Sequence, residues 1–295
     1  MNILFVSLGC DKNLVDSEVM LNLVEKSGQN ITNEETEAEA VVINTCCFIH
    51  DAKEESVNTI LEFANLKNSG KLKLIIVTGC LAERYKDEIK KEIPEVDIIL
   101  GSASYDAIAK AIDEFAKGTG KDIYKDLTYI PEDDSDRIVT TGTFMSYLKI
   151  AEGCNKCCTY CIIPKIRGRY RSVPMDKVLL TAKKLADKGI KELVIIAQET
   201  TIYGTDIYGE KKLPELLRKL AKIEGIEWIR LMYCYPEEIT DELIKTMAFE
   251  PKILHYIDMP IQHSEDNILK AMARKTSKEQ IIEVIGKLRA AMPDV

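Results

Sequence analysis

No apolar run in this chain approaches the length of a membrane span. No secretory leader is expected from residues 1–10 either. Residues 1–10, MNILFVSLGC, end in something like a lipoprotein cleavage box, but nothing basic precedes the apolar stretch and it is too short for a signal peptide. It reads as a first β-strand, and the protein is expected to be cytoplasmic. Positive charge is not in excess: 40 Lys and Arg against 48 Asp and Glu leave a net charge of -8, with a pI near 5.2. Composition therefore gives no sign of a phosphate-binding surface. Internal repeats and low-complexity segments are absent. Neither GxGxxG nor GxxxxGK[ST] occurs, which removes the usual nucleotide-phosphate loops. What remains is ordinary globular material, 295 residues at 46% hydrophobic content, long enough for two domains.

What the chain does have is cysteine, nine in all. With no export signal read, these are not expected to form a disulfide framework, because the cytosol keeps thiols reduced, and metal binding is the better default.

Residues 1–120 alternate β-rich runs with helical periodicity. The runs are NILFVSLG, AVVINT, KLIIVTG and VDIILG, separated by segments such as EESVNTILEFANLK and YKDEIKKEI. This βαβ series predicts an α/β domain with a Rossmann- or flavodoxin-like parallel sheet covered on both faces. An acidic, turn-rich stretch, IPEDDSDR at 130–137, reads as part of a linker over 121–143. From 144 the pattern restarts. YLKIAEG, ELVIIAQE, WIRLMYCYP and LHYIDMPIQ are each followed by a helical pattern, such as VLLTAKKLADKG or NILKAMARK, and a capping box is read from Thr276 to Glu279. That is the rhythm of a TIM-type β/α barrel. Four strands are too few to close one, so residues 144–295 are expected to form an incomplete barrel.

The stretch EGCNKCCTYCIIP at 152–164 holds Cys154, Cys157, Cys158 and Cys161. Zinc wants two CxxC pairs set well apart, whereas these pairs abut, and adjacent Cys157 and Cys158 can hardly face one ion. The parse Cys154, Cys158, Cys161 is a CxxxCxxC. Three thiolates on a tight loop hold three irons of a 4Fe-4S cubane, leave the fourth iron open for chemistry, and make Cys157 the spare. Cys10, Cys46 and Cys80 follow FVSLG, VVINT and IIVTG, at the carboxyl ends of three predicted strands, the edge where open α/β sheets place ligands. One buried cysteine would be a small hydrophobe. The same placement three times in a row points to a second three-thiolate cluster. Cys47 and Cys234 lack this logic and are taken as packing residues, and His50 and His255 as structural.

CxxxCxxC after the first strand of a barrel, with Tyr160 just before the last cysteine, resembles the radical S-adenosylmethionine (SAM) superfamily. A second cluster in a preceding α/β domain is similar to the arrangement in the methylthiotransferase family of radical SAM enzymes. SLGCDKNLVDSE at 7–18 is similar to the signature of the branch that modifies an aspartate β-carbon of ribosomal protein uS12. There Lys12, Asn13, Val15 and Asp16 match, while Asp11 stands where that branch has proline. The tRNA-modifying members tend to carry GCQMN where this chain has GCDKN. GRYRSVP at 168–174 and DMPIQHSEDNILKAMAR at 258–274 also fit the family.

The resemblance implies two SAM-dependent steps. SAM methylates a sulfur on the auxiliary 4Fe-4S cluster (Cys10, Cys46, Cys80), and a second SAM yields a 5'-deoxyadenosyl radical at the Cys154, Cys158, Cys161 cluster. It also implies uS12, or the small ribosomal subunit, as substrate and an electron donor of flavodoxin or ferredoxin type, with no membrane partner. Both reaction partners must meet one carbon atom, so the first-domain cluster should face the barrel mouth. Barrel active sites lie at the carboxyl ends of the strands. Gln198 and Glu199 are therefore candidate SAM contacts, and Asp258, Gln262 and His263 are candidate SAM or substrate contacts. Each is equally a routine cap or turn former. Lys165, Arg167, Arg169 and Arg171 form a basic patch. The patch is a candidate to hold the SAM carboxylate or an acidic substrate, with Arg167 the SAM candidate within it, although basic loop side chains are more often solvated. Two other functions remain open: methylthiolation of a tRNA adenosine, and a non-enzymatic iron-sulfur redox or scaffold protein. Reductive SAM cleavage separates the last from the others.

Overall fold

The computed structural model describes residues 1–131 and 136–295. The middle of the acidic stretch IPEDDSDR, residues 132–135, lies outside the described residues. The chain forms two units: Met1–Thr140 together with Lys165–Arg167, and Thr141–Pro164 together with Gly168–Val295. Residues 121–140, read from sequence as linker, thus count with the first unit. Ile123 bridges to Leu100, Arg137 Nε lies 3.3 Å from the Glu18 carboxylate with both side chains buried, and the Ile138 N–H donates to Glu18 O.

In the first unit five strands, β1 (Asn2–Ser7), β2 (Asn30–Thr32), β3 (Ala40–Thr45), β4 (Leu74–Gly79) and β5 (Ile98–Ile99), form one sheet in the order β2-β1-β3-β4-β5. Every pairing is parallel. The crossovers carry α1 (Asp11–Lys26), α2 (His50–Asn68), α3 (Cys80–Arg84) and α4 (Lys86–Glu92), and α5 (Ile108–Ala116) follows the last strand. This is the flavodoxin-like order, whose switch point falls between β1 and β3. All six residues of β3 and of β4 are buried, which is why both read as unbroken apolar runs rather than alternating ones. Ile3, Val42 and Ile76 pack with Met20 of α1 and Ile112 of α5. Helix α1 also buries polar residues, Asn13, Asp16 and Glu18 among them, and their partners define the first centre below.

In the second unit β6 (Met145–Lys149), β9 (Glu192–Ile196), β10 (Trp228–Leu231) and β11 (Ile253–Ile257) lie side by side in chain order, all parallel. The four strands expected of a β/α barrel are therefore present as a run of parallel neighbours. Between the first two, β7 (Ala151–Glu152) pairs antiparallel with β8 (Arg171–Ser172), so the sequence run YLKIAEG is two strands broken at Ile150. The helices are α6 (Ile163–Ile166), whose last residues count with the first unit, then α7 (Met175–Asp187), α8 (Leu213–Leu220), α9 (Asp241–Phe249), α10 (Asp266–Ala271) and α11 (Lys278–Ala291).

Two local expectations are corrected. The capping box of α11 is Ser277 with Gln280, one residue later than Thr276 with Glu279: the Ser277 hydroxyl accepts from Gln280 N and the Gln280 side chain accepts from Ser277 N. Helix α10 ends at Ala271 instead of running on through NILKAMARK. Ala273 turns left-handed at φ 56, and Arg274 turns inward to donate to Pro260 O at 3.1 Å. No described helix is long and apolar enough to cross a membrane.

Candidate functional site

The first centre grows from three adjacent strands. Cys10 caps the start of α1 after β1, Cys46 follows β3, and Cys80 opens α3 after β4. In a parallel sheet these are carboxyl ends, and Cys10 and Cys46 straddle the switch point. The contact is close. Gly9 sits at φ +90, and a Cβ there would come within 2.6 Å of Cys46 Cβ and 3.0 Å of its Sγ. Asn13 ties the ends together, its amide donating to Leu8 O and to Thr45 O, both at 3.0 Å. Cys46 is held through Ser56, whose hydroxyl accepts from Cys46 N at 3.0 Å and donates to Cys46 O at 2.9 Å. Cys47 points elsewhere: its thiol donates to Cys80 O at 3.2 Å, a packing role.

Burial pushes the Cys80 thiol up to about 12, the neighbouring Arg167 guanidinium opposes this, and Cys10 and Cys46 raise it further. Burial, with Cys10 as neighbour, raises Cys46 too. Buried thiols such as Cys46 and Cys80, each made harder to ionise by burial and by cysteine neighbours, are a donor set that an iron cluster would suit, since it binds thiolates and supplies the charge they lack.

Gly79 sets up Cys80. It stands at φ +90, where a Cβ would lie 2.3 Å from Asn44 Oδ1 and 2.5 Å from Thr45 O. Gly79→Ala is expected to cost about 2–4 kcal/mol, a left-handed strain plus a backbone clash. Thermal denaturation should show a lowered midpoint and iron analysis a loss of bound metal. A chain that melts and binds iron like the parent would refute the requirement.

The second centre is a loop pinned at its base by the β7–β8 pair. Cys154 N donates to Gly168 O at 3.1 Å and Tyr170 N to Asn155 Oδ1 at 3.1 Å. The loop's far side is tied to the end of α10, where Thr159 donates through N and Oγ1 to Met272 O and Ala271 O. Cys154 and Cys158 are buried and Cys161 half-buried, whereas Cys157 is exposed with its Sγ near its own loop's Asn155 O. Burial lifts Cys154 to about 11, helped by Glu199, Cys161 and Cys158, and Cys161 rises by burial with Cys158 as the charged neighbour. Cys157 figures in neither. Among the described residues no three His, Cys, Asp or Glu side chains stand at the spacing of a single ion's ligands.

Beside this loop the strand ends supply a buried polar cluster. Gln198 donates to Glu152 Oε2 at 3.2 Å, and Glu152 in turn pairs with Lys149 at 2.7 Å. Glu199 is fully buried and accepts from Thr201 Oγ1. Burial lifts its carboxyl to about 7 against the opposing effects of Thr201 and Lys156. Lys156, on the cysteine loop, reaches Glu238 at 2.6 Å, Glu237 at 3.3 Å and Glu199 at 3.7 Å. Arg274 stacks over Tyr235 at 4.2 Å. Gln198 Oε1, Glu199 Oε2, Thr200 Oγ1 and Arg274 Nη1 are buried without a hydrogen-bond partner. Such orphaned atoms of both polarities fit a ligand that carries an ammonium and a carboxylate.

Lys156, Glu237, Glu238 and Arg274 were not singled out in the sequence. Only Lys156 carried a usable signal there, its place between two candidate ligands. Of the other expected residues, Asp258 uses its carboxylate to accept from Tyr233 N at 2.8 Å. Gln262 sits at φ 67, and His263 accepts from Glu265 N. Arg171 donates to Arg169 O on an exposed edge. Arg167, expected with SAM, has its guanidinium engaged in the first unit, on Asp16 and Asn13. His50 and His255 make surface pairs with Glu54 and Asp294, and Cys234 is fully buried.

Two family models match the chain: residues 2–101 fit uncharacterized protein family UPF0004, and residues 148–295 the radical SAM superfamily. The chain is 61% identical over 295 residues to ribosomal protein uS12 methylthiotransferase RimO of Lachnoclostridium phytofermentans, which covers 100% of the chain and 67% of that protein. Identity to the protein of the same name from Clostridioides difficile is 51% over 288 residues, 98% of the chain and 65% of the relative. The chain thus spans about two thirds of the length of these relatives. Among solved structures, the radical SAM methyltransferase TsrM from Kitasatospora setae, with tryptophan and a SAM analogue bound, superposes with a TM-score of 0.67 at 12% identity, over 98% of this chain and 66% of that one. The cobalamin-dependent SAM radical enzyme OxsB gives 0.64 at 12%, over 98% and 48%. At that identity the likeness is one of fold alone.

Proposed function

We propose, for a chain that belongs to the radical SAM superfamily and within it to the ribosomal protein uS12 methylthiotransferase family, that it adds a methylthio group to an aspartate β-carbon of uS12. The observation that supports this reading is the presence, in one chain, of two separate three-cysteine sets: Cys10, Cys46 and Cys80 after the parallel strands β1, β3 and β4, and Cys154, Cys158 and Cys161 on the loop between β7 and β8. When bound, a 4Fe-4S cluster on Cys154, Cys158 and Cys161 supplies an open iron and an electron for SAM cleavage, and one on Cys10, Cys46 and Cys80 supplies the site of sulfur methylation and transfer.

The chain's own residues do the holding. Gln198 and Glu199 carry buried oxygens without a hydrogen-bond partner, which suit a SAM ammonium, and Arg274, whose Nη1 is likewise without a partner, is the cation that suits a carboxylate. Arg167 is left out of this set because its guanidinium is engaged elsewhere. An electron donor of flavodoxin or ferredoxin type and a cytoplasmic site of action complete the proposal.

Mass spectrometry on cells lacking the gene tests the substrate by comparing uS12 with a tRNA nucleoside digest. Loss of a methylthio-sized mass from uS12 alone is the expected result. Loss from a tRNA adenosine instead would keep the chemistry and move the substrate to RNA. No loss from either would favour the scaffold reading.

A further inference from the structure

We propose that Arg167 is a positioning residue for the Cys10, Cys46, Cys80 centre, clamped by Asp16 and Asn13 so that its Nε–H donates to the Cys80 sulfur and holds a positive charge beside it. The inference rests on the reading of those cysteines as a cluster site. The guanidinium serves three acceptors at once: Nε lies 3.4 Å from Cys80 Sγ, Nη1 lies 2.7 Å from Asp16 Oδ2, and Nη2 donates to Asn13 Oδ1. Arg167 is 5% exposed and Asp16 4%, so neither charge is diluted by solvent.

Asn13 is the hub. The same side chain that accepts from Arg167 donates to Leu8 O and Thr45 O, on the segments that deliver Cys10 and Cys46. One network therefore reaches all three cysteine-bearing strand ends. A planar fork with donors in fixed directions fits this task and a lysine does not. Hydrogen bonds and charge at the ligating sulfurs are among the levers that set a cluster's reduction potential, because each electron added increases the negative charge to be stabilised. The DKNLVD signature turns inward here, with Asn13 and Asp16 buried against Arg167. It acts on the centre rather than as an exposed recognition surface.

The test uses the full chain with Cys154, Cys158 and Cys161 changed to alanine, so that one centre remains, reconstituted anaerobically and titrated by spectroelectrochemistry with iron content measured in parallel. Arg167→Gln should shift the reduction potential to more negative values, and Arg167→Lys should recover part of the shift. Normal iron with an unchanged potential in Arg167→Gln overturns the proposal. If Arg167→Gln fails to load, loading of Arg167→Lys supports it. If neither loads, Asp16→Asn decides: loading with a more positive potential supports the proposal, and an unchanged potential or no loading overturns it. A background chain that takes up no iron would instead refute the cluster reading, and this inference with it.

Discussion

Cys158→Ala is expected to reduce 5'-deoxyadenosine formation to background in the reconstituted, dithionite-reduced chain and to remove about one cluster's worth of iron, while Cys157→Ala leaves both unchanged. The two cysteines are chain neighbours with the same side chain, so only geometry can separate them. Cys158 is buried in the loop that Thr159 ties to α10. It interacts with both Cys154 and Cys161 and with the Tyr160 hydroxyl. Cys157 is exposed and near only its own backbone. Losing one of three thiolates leaves a second iron without a protein ligand, and the defect is in loading rather than in orientation. Chromatography of the nucleoside product and iron analysis on the same samples provide the check. Equal loss in both variants would refute the assignment of Cys157 as the spare.

What the sequence made legible was local. Strands β3 and β4 announce themselves as apolar runs because both faces are covered. The strand-end positions of Cys10, Cys46 and Cys80 follow directly once those runs are placed. Strand β2, three residues reading NIT at the sheet edge, has too few apolar positions for any periodicity to register. The 121–143 segment reads as a linker by its acid and turn content, yet Arg137 and Ile138 are drawn onto Glu18. A buried ion pair leaves no periodic trace. Arg167 is the sharpest case: in sequence it is one of four basic residues on a loop, and its partner Asp16 lies 151 positions away. The Lys156 carboxylates are likewise 81 and 82 residues downstream. Side-chain partnerships across such distances are products of topology, which spacing rules do not encode.

Cys80→Ala should separate the two centres functionally, sparing 5'-deoxyadenosine formation while methylthio transfer to a uS12 substrate falls below detection. Cys80 stands at the end of β4, in contact with Arg167 and Cys47 and within reach of Cys10 and Cys46. On the proposed reading, SAM cleavage draws on the Cys154 loop and the buried polar cluster of the second unit and not on Cys80. Alanine at position 80 keeps the helix start of α3, because the preceding turn belongs to Gly79 and not to the thiol. It removes one proposed ligand and one hydrogen-bond acceptor of Arg167, whose charge then remains paired to Asp16. The fold should accordingly survive, and the lesion should be confined to sulfur delivery. The assay compares nucleoside release with the mass of the uS12 product in one reaction. Parallel loss of both activities would mean that radical generation depends on the first centre, and methylthio transfer at the parental rate would remove Cys80 from the ligand set.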